Sequence, residues 1–261
     1  MTSAKRSGLT ALVVSALLAS TSTAKAPLTT PACLAKKLKA WGDLRKCQAT
    51  ENGKALQSKS ADPMKCQTTF NDALAKVNTQ ATAAAIACRY GVNGDGTATD
   101  YDTGLQWEQK DNLDGTPNPA DPHDADNQYT WDTPAGVDQT APSGTAFTSF
   151  LASLNDCAAN KATTPLMGGF AGHCDWRLPS FVELAGILDP SPCATFAGPC
   201  IDQTVFGPTV ALAYWSATTY APLPIDAFLV GFYKFPENPG NVYLSPKDNY
   251  AFPVRAVRSG L

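Results

Sequence analysis

One short stretch of the sequence gathers side chains that catalytic sites use. His173, Cys174, Asp175, Trp176 and Arg177 follow one another inside FAGHCDWRLPSFVEL, residues 170–184. A cysteine thiolate beside a histidine base would suit nucleophilic catalysis, and the same residue types would suit a metal ion. The alternative is architectural: the cysteine forms a disulfide, the tryptophan packs in the core and the arginine pairs with a carboxylate or a carbonyl group.

The cysteine count favours the architectural alternative. The chain has eight cysteines, none in the C-x-x-C spacing of zinc ribbons or thioredoxin-like proteins, and an even number suits four disulfides in an oxidising compartment. Sequence alone leaves the connectivity open. The spacing favours four pairs: Cys33 with Cys88, Cys47 with Cys66, Cys157 with Cys174, and Cys193 with Cys200.

Carboxylates are concentrated in one loop. Residues 111–145 are rich in Asp, Pro, Asn, Thr and Gly, which predicts irregular structure. Calcium takes several such carboxylate oxygens, whereas a hydrated acidic loop without an ion is the alternative. The aspartates concerned are Asp111, Asp114, Asp121, Asp124, Asp126 and Asp132. A histidine-rich metal site is not expected, because His123 and His173 are the only histidines in the chain. Calcium is therefore the one cofactor that the sequence leaves open.

Aromatic side chains next to carboxylates could recognise a sugar, because stacking faces and hydroxyl partners are what sugars need. Tyr129 and Trp131 lie in the irregular loop, where binding residues tend to lie, and we expect them to be exposed. Asp124 and Asp126 are close in sequence and would accept hydrogen bonds. These four are the candidate ligand-binding residues. Other aromatic candidates, many of which must also build the core, are Trp107, Trp215, Tyr220 and Tyr243.

The first 26 residues have the layout of a secretory signal. Lys5 and Arg6 precede the apolar run Leu9–Leu18, and small residues follow, with cleavage expected after Ala24 or Ala26. The apolar run is too short to span a bilayer, and no later stretch reaches the ~18 apolar residues of a membrane helix. We therefore expect an exported protein, periplasmic or extracellular, without a membrane span.

Residues 27–88 are expected to form an antiparallel helical hairpin, because Thr30-Pro31 and Asp62-Pro63 each combine a capping residue with a helix-starting proline. Two nested disulfides would join the helices. At ~1.5 Å per residue their cysteines lie ~21 Å apart on the first helix and ~33 Å apart on the second. The second helix must therefore end or bend within residues 78–85. A spacer or stalk is the simplest role, and a partner-binding or oligomerisation module is the alternative.

Charge is divided unevenly along the chain. Residues 27–90 hold ten Lys or Arg against four Asp or Glu, a net of +6, whereas residues 91–261 hold seven against nineteen, a net of −12. Nucleic-acid binding needs a basic surface to neutralise phosphates. The larger, acidic part of the chain therefore indicates that nucleic acid is not a partner.

From Arg89 onward the pattern changes to short strands and turns. RYGV, NGDG and TATD predict a β-hairpin, and LQWEQ predicts the next strand. NGDG resembles part of a calcium loop, but a type I′ turn explains it more simply. Residues 146–159 have helical spacing and should end near Asn160, while Ser180 and Glu183 form a capping box for a helix expected to stop at Asp189-Pro190. Strands should follow at YWSATTY, DAFLVGFYKF, NVYL and FPVRAVR.

Four motifs in order resemble a known family. NGDGTATDYDTGLQWE, HCDWRLPSFVEL, YWSATTY and VRAVR follow the order and rough spacing of the C-terminal domain of the Legionella collagen-like protein, found in exported bacterial proteins. The resemblance covers residues 89–261 and implies an α+β, C-type-lectin-like fold: two helices flanking a twisted antiparallel sheet under long loops. The motif residues with structural roles would be Trp107, Trp176, Arg177, Pro179, Ser180, Glu183, Trp215, Ser216, Arg255 and Arg258.

The prototype of this family is an adhesin for sulfated glycosaminoglycans, but a domain of net charge −12 repels such polyanions. We expect a secreted, non-enzymatic protein that binds a glycan or a cell-surface protein. A structural or oligomerisation module of the cell envelope, without a small ligand, is the alternative. An enzyme related to the formylglycine-generating branch of the fold is a third hypothesis, which needs a free cysteine.

Overall fold

The structure is a computed structural model of the 261-residue chain. It describes residues 28–133, 142–157, 168–193, 198–235, 238–239, 242–248 and 250–261. The expected secretory signal lies outside these residues. Among the described residues, no helix combines the length and the apolar character that crossing a bilayer requires.

The N-terminal segment is a pair of helices, α1 (Thr30–Leu56) and α2 (Pro63–Ala83). The Asp62 side chain caps α2 by accepting a hydrogen bond from the Lys65 N–H, and proline follows it at the first helical position. Both nested disulfides are present, one joining Cys33 to Cys88 and the other Cys47 to Cys66. The prediction that α2 ends within residues 78–85 is confirmed: the chain turns after Ala83, and Ala85 has a φ of 50°.

The helical pair packs on the rest of the chain through the first half of α1. The Lys37 ammonium pairs with the Asp102 carboxylate and is buried, which explains why a lysine interrupts the apolar face of this helix. The Trp41 indole donates a hydrogen bond to the Tyr101 carbonyl oxygen at 3.0 Å. Its ring lies over Gly104, where a Cβ atom would come within 2.6 Å of it. The hairpin is therefore docked on the domain at this point.

The first sheet has four antiparallel strands in the order β1-β2-β3-β11. Their bounds are β1 Tyr90–Val92, β2 Thr97–Asp100, β3 Leu105–Glu108 and β11 Val257–Ser259. The predicted hairpin between β1 and β2 is confirmed, but its type I′ turn is wrong. Gly94 and Gly96 have positive φ with Asp95 between them, and Asn93 N–H bonds to the Thr97 carbonyl oxygen. The bond between Asn93 and Thr97 encloses three residues rather than two, and the Asp95 carboxylate accepts the Thr97 N–H within this loop.

The second sheet has three antiparallel strands in the order β5-β6-β9. They are β5 (Ala213–Thr219), β6 (Asp226–Gly231) and β9 (Val242–Pro246). Two short pairs complete the strands: β4 (Tyr129–Thr130) with β10 (Ala251–Phe252), and β7 (Lys234–Phe235) with β8 (Asn238–Pro239). The described chain is thus a mixed α+β structure with antiparallel sheets.

Two hydrophobic cores lie on opposite faces of the second sheet, because successive strand residues point to opposite sides. Trp215 on β5 joins a core with Trp131 and Trp176. Its neighbour Tyr214 joins the other core, which contains Trp107 and Leu184. The second core therefore lies between the two sheets and the helix that carries Leu184.

The helices of this part are shorter than the sequence pattern predicts. A π-helical segment (Ala146–Leu151) leads into α3 (Ala152–Leu154), so this helix ends before the expected position near Asn160, which lies outside the described residues. Helix α4 (Phe181–Ala185) begins with the predicted capping box but ends at Gly186 rather than at Asp189. The Asp189 N–H bonds to the Cys200 carbonyl oxygen, so the chain there already pairs with the end of the loop that the Cys193–Cys200 disulfide closes. A further short helix is α5 (Gln203–Phe206).

Candidate functional site

The stretch that begins with His173 is an architectural corner. Cys174 is bonded to Cys157, and the remaining cysteines are also paired, including Cys193 with Cys200. The Trp176 ring is buried, and its indole N–H donates to the Phe170 carbonyl oxygen at 3.0 Å. In this form of the protein no cysteine offers the thiolate that nucleophilic catalysis at Cys174 would require.

Backbone pairing joins this corner to the first sheet. Arg177 and Val257 exchange two N–H to carbonyl hydrogen bonds of 2.9 Å, which places the corner beside β11. The Arg177 guanidinium then holds the Glu183 carboxylate through two hydrogen bonds of 2.8 and 2.7 Å. This arginine lowers the pKa of Glu183, against the opposing effect of partial burial. Glu183 also accepts from the Ser180 N–H, so one carboxylate closes the capping box and the ion pair.

The other motif residues are structural in the same sense. Pro179 accepts the Ala217 N–H at 2.7 Å, and the buried Ser216 hydroxyl donates to the Phe228 carbonyl oxygen at 2.8 Å. Arg258 bonds to Asp175 at 2.7 Å, which ties the corner to β11 a second time. The fully buried guanidinium of Arg255 donates to the Phe206 carbonyl oxygen and to the Thr209 hydroxyl.

The predicted exposure of Tyr129 and Trp131 is wrong. Their relative exposures are 8% and 3%, and both belong to the core on the Trp215 side of the second sheet. Two long-range hydrogen bonds fix them: the Trp131 indole donates to the Ser216 carbonyl oxygen, and the Trp215 indole donates to the Tyr129 carbonyl oxygen. These aromatic faces are not available for stacking on a sugar.

Asp124 and Asp126 bind the backbone of their own loop. Asp124 accepts from the Asp126 N–H and from the Asn112 amide, and Asp126 accepts from the N–H groups of Asp114 and Gly115. Within the described part of the chain, no three His, Cys, Asp or Glu side chains converge as a metal site would require. The acidic loop thus uses these carboxylates as turn-forming acceptors.

A cleft of about 400 Å³ lies between the first sheet and α4. Its walls contain one buried aromatic residue, two aliphatic side chains and three charged groups. The residues that line it are Arg89, Asp100, Thr103, Leu105, Trp107, Val182, Glu183 and Gly186. Because the cleft combines apolar walls with a few fixed polar groups, it has the make-up of a small-ligand site.

The charges of the cleft are balanced by two arginine–carboxylate pairs. Arg89 holds the buried carboxylate of Asp100, with Nη2 and Oδ2 2.8 Å apart and Nε 3.2 Å from both oxygens. On the opposite wall, Arg177 holds Glu183 in the bidentate pair described above. The paired groups are fixed in orientation and leave little net charge at the cleft.

Trp107 adds an unusual feature to the cleft. Its side chain is buried and lines the cleft, and its indole N–H has no hydrogen-bond partner among the described residues. A buried donor without a partner costs free energy, so native proteins pair such groups with water or a ligand. The Trp107 Nε1 atom is inaccessible to solvent, so Trp107 contributes an apolar wall to the cleft rather than a donor.

Sequence reasoning missed the cleft residues Arg89 and Asp100. Tyr90 pairs with Asp100 in the β1–β2 register, and the Tyr101 N–H bonds to the Arg89 carbonyl oxygen, so Arg89 lies opposite Tyr101. Alternation along the strands would place Arg89 and Asp100 on opposite faces, so the register does not predict their contact, which forms where Arg89 precedes β1. Val182 gave no signal of its own, because its place in the cleft depends on how α4 lies against the sheet.

A further cluster of charged side chains is buried in the core. The Glu108 carboxylate lies 2.9 Å from Lys110 Nζ and 2.9 Å from His123 Nδ1, and it accepts the Ala256 N–H at 3.0 Å. Burial raises the pKa of Glu108, but the adjacent Lys110 and His123 outweigh it and leave the pKa below its ordinary value. Burial lowers the pKa of Lys110, and Glu108 opposes that effect. His123, which sequence reasoning left as a weak metal candidate, is part of this group.

Comparison with known proteins identifies the family. No curated protein and no solved structure matches the chain at a significant level. The family model described as the Lcl C-terminal domain matches residues 96–258, which include three of the four motifs in full, the first motif from Gly96 onward, and the cleft residue Val182. The match covers more than half of the chain, and the chain therefore belongs to the Lcl C-terminal domain family.

Proposed function

We propose that this chain is a secreted, non-enzymatic binding protein that recognises a glycan, or a similar hydroxyl-rich group on a cell surface, in the cleft between the first sheet and α4. The cleft is the single observation that carries the proposal, since its fixed arginine–carboxylate pairs stand beside apolar walls. Four disulfides support export to an oxidising compartment.

The fold that we propose for residues 89–261 is a C-type-lectin-like arrangement. The antiparallel sheets, the short helix α4 against them and the long connecting segments support this assignment. The pairing of all eight cysteines supports binding rather than thiol-based catalysis. Calcium remains a proposal for the acidic loop, to be tested together with the ligand.

The ligand that we propose is neutral rather than sulfated. Each carboxylate of the cleft already has an arginine partner, so the site offers hydrogen bonds without a strong net charge. The domain around it has a net charge of −12 in residues 91–261, which repels polyanions. A neutral oligosaccharide avoids that repulsion and matches paired, planar hydrogen-bonding groups.

A glycan array that contains neutral and sulfated oligosaccharides, probed with and without calcium, tests the proposal. Val182 is 64% exposed at the cleft, so Val182→Trp should fill the entrance without disturbing the core. Val242 on β9 is 44% exposed away from the cleft, and Val242→Trp is the matched control. We expect neutral hits that weaken about tenfold or more in Val182→Trp and persist in Val242→Trp.

Two results would count against this function. An array without hits in either condition would favour the alternative, a structural module of the cell envelope. Hits that survive in Val182→Trp would place the ligand elsewhere on the domain.

A further inference from the structure

The connecting end of the helical hairpin exposes two large apolar side chains. Leu56, the last residue of α1, is 89% exposed, and Met64, near the start of α2, is 78% exposed. Lys59 and Lys65 are exposed beside them. We call these four residues the hairpin tip. Single exposed apolar residues are common on protein surfaces, but two of this size together with lysines need an explanation.

The backbone around the hairpin tip is held in place, so the exposure is a property of the fold. The disulfide between Cys47 and Cys66 joins the helices three residues after α2 begins and nine residues before α1 ends. The Glu51 carboxylate accepts the Asp62 N–H at 2.8 Å and pairs with Lys54 at 2.6 Å. Both acidic side chains of this end are therefore engaged within the hairpin, Glu51 in these bonds and Asp62 as the cap of α2.

The tip also lies far along the helix from the domain. Trp41 contacts the turn after β2, and Leu56 follows it by fifteen residues within the same helix, which corresponds to ~22 Å along the axis. Charge follows the same division, with +6 in residues 27–90 and −12 in residues 91–261. A negatively charged surface would attract the hairpin and repel the domain.

We propose that the hairpin tip binds an anionic lipid surface, with Leu56 and Met64 entering the interfacial region and Lys59 and Lys65 contacting lipid headgroups. Apolar side chains flanked by lysines combine the two contributions on which peripheral membrane binding depends. A soluble polyanion would use the lysines but has no place for the leucine and the methionine. The lipid surface is therefore the occupant that accounts for both parts of the tip.

Co-sedimentation with vesicles tests this proposal on the exported chain with its disulfides intact. The vesicles are phosphatidylcholine with about one third phosphatidylglycerol, compared with pure phosphatidylcholine, at low and high salt. We expect binding to the anionic vesicles that falls with salt. Leu56→Ser/Met64→Ser should weaken it about tenfold or more, because both apolar contacts are lost. Lys59→Gln/Lys65→Gln should weaken it and reduce its salt dependence.

Matched controls come from the same hairpin. Leu38 is 50% exposed in the first half of α1, so Leu38→Ser removes an exposed leucine away from the tip. Lys39→Gln/Lys76→Gln removes two lysines that line the groove between the helices. Both controls should bind vesicles like the unmodified chain. Circular dichroism should show unchanged helix content in every variant, because these side chains are exposed.

Three outcomes would overturn the proposal. The first is that the unmodified chain does not bind anionic vesicles. The second is that Leu56→Ser/Met64→Ser binds as tightly as the Leu38→Ser control, which would indicate charge alone and a soluble polyanion as partner. The third is that light scattering finds a dimer that the tip substitutions dissociate, which would make the tip a contact between two copies. None of these results bears on the cleft, which the glycan array tests separately.

Discussion

The buried carboxylate of Glu108 gives the sharpest test of how this fold accommodates charge. Its side chain is inaccessible to solvent, as is almost all of Lys110, and the two charged atoms lie 2.9 Å apart. Lys110 Nζ also donates to the Pro122 carbonyl oxygen and lies 4.5 Å from the centre of the Phe150 ring. Glu108→Gln keeps the shape of the side chain, removes its charge and replaces one acceptor oxygen with an NH₂ donor. The Lys110 ammonium would then lose its carboxylate partner and face the neutral amide, the Pro122 carbonyl oxygen and the Phe150 ring.

The expected loss is about 3–5 kcal/mol in the free energy of unfolding at pH 7, the usual effect of removing one partner from a buried ion pair. That is a large share of the roughly 5–15 kcal/mol that stabilises an ordinary domain. The double variant Glu108→Gln/Lys110→Met removes both charges. It should lose less than Glu108→Gln alone, because no uncompensated charge stays in the core.

Urea denaturation of the disulfide-intact chain, followed by tryptophan fluorescence, measures these differences without screening the charges. The pH dependence has a defined sign. The pKa of Glu108 is lowered in the folded state, so its contribution is present above the unfolded glutamate pKa of about 4.3 and is lost as the pH falls through the folded value. The stability difference between the unmodified chain and Glu108→Gln should therefore shrink in acid below about pH 4. Equal losses in the single and the double variant would refute the account of Glu108 and Lys110 as a balanced pair.

Variants at three further sites test the hairpin and the corner. Trp41→Ala removes a half-buried indole and its hydrogen bond to the domain, and should lower the free energy of unfolding by about 2 kcal/mol while opening the hairpin–domain junction to limited proteolysis. Cys47→Ser/Cys66→Ser opens a loop of 19 residues and should cost about 3 kcal/mol, read as a lower midpoint of thermal unfolding. Ser180→Ala should cost about 1 kcal/mol and Ser180→Thr much less, since threonine can still cap α4; equal losses would contradict the capping role.

The features that the sequence predicted best are those that depend on residue types and on their spacing along the chain. Ser180 and Glu183 are three residues apart, and the capping box needs only their side chains and the local backbone. The nested spacing of four cysteines in a helical hairpin favoured the pairing of Cys33 with Cys88, and that pairing in turn required the second helix to end before Cys88. Both signals lie in residue types and spacings, so they can be read from one sequence.

The candidate site depended on contacts that a single sequence does not contain. Tyr129 and Trp131 stand among turn-forming residues, which predicts exposure, but Trp215 and Ser216, about 85 residues later in the chain, enclose them. Composition describes the neighbours in sequence, whereas burial is decided by the neighbours in space. A residue that breaks the sequence pattern can nevertheless be informative. Lys37 lies on the apolar face of a helix, which implies a buried acceptor, and in the structure that acceptor is Asp102.

The net charge of −12 belongs to residues 91–261 as a whole and does not describe the cleft, where the charged groups are paired. Asp95 and Asp126 accept hydrogen bonds from backbone N–H groups, and Asp100 faces an arginine, so these charges hold turns and strands together. An acidic domain can therefore contain an electrically balanced cleft. In the function that we propose, the repulsion of polyanions comes from the domain as a whole, whereas the selection of a ligand comes from the paired groups and the apolar walls of the cleft. These two effects act in the same direction, towards a neutral ligand, which is why we do not carry the sulfated ligands of the family prototype over to this chain.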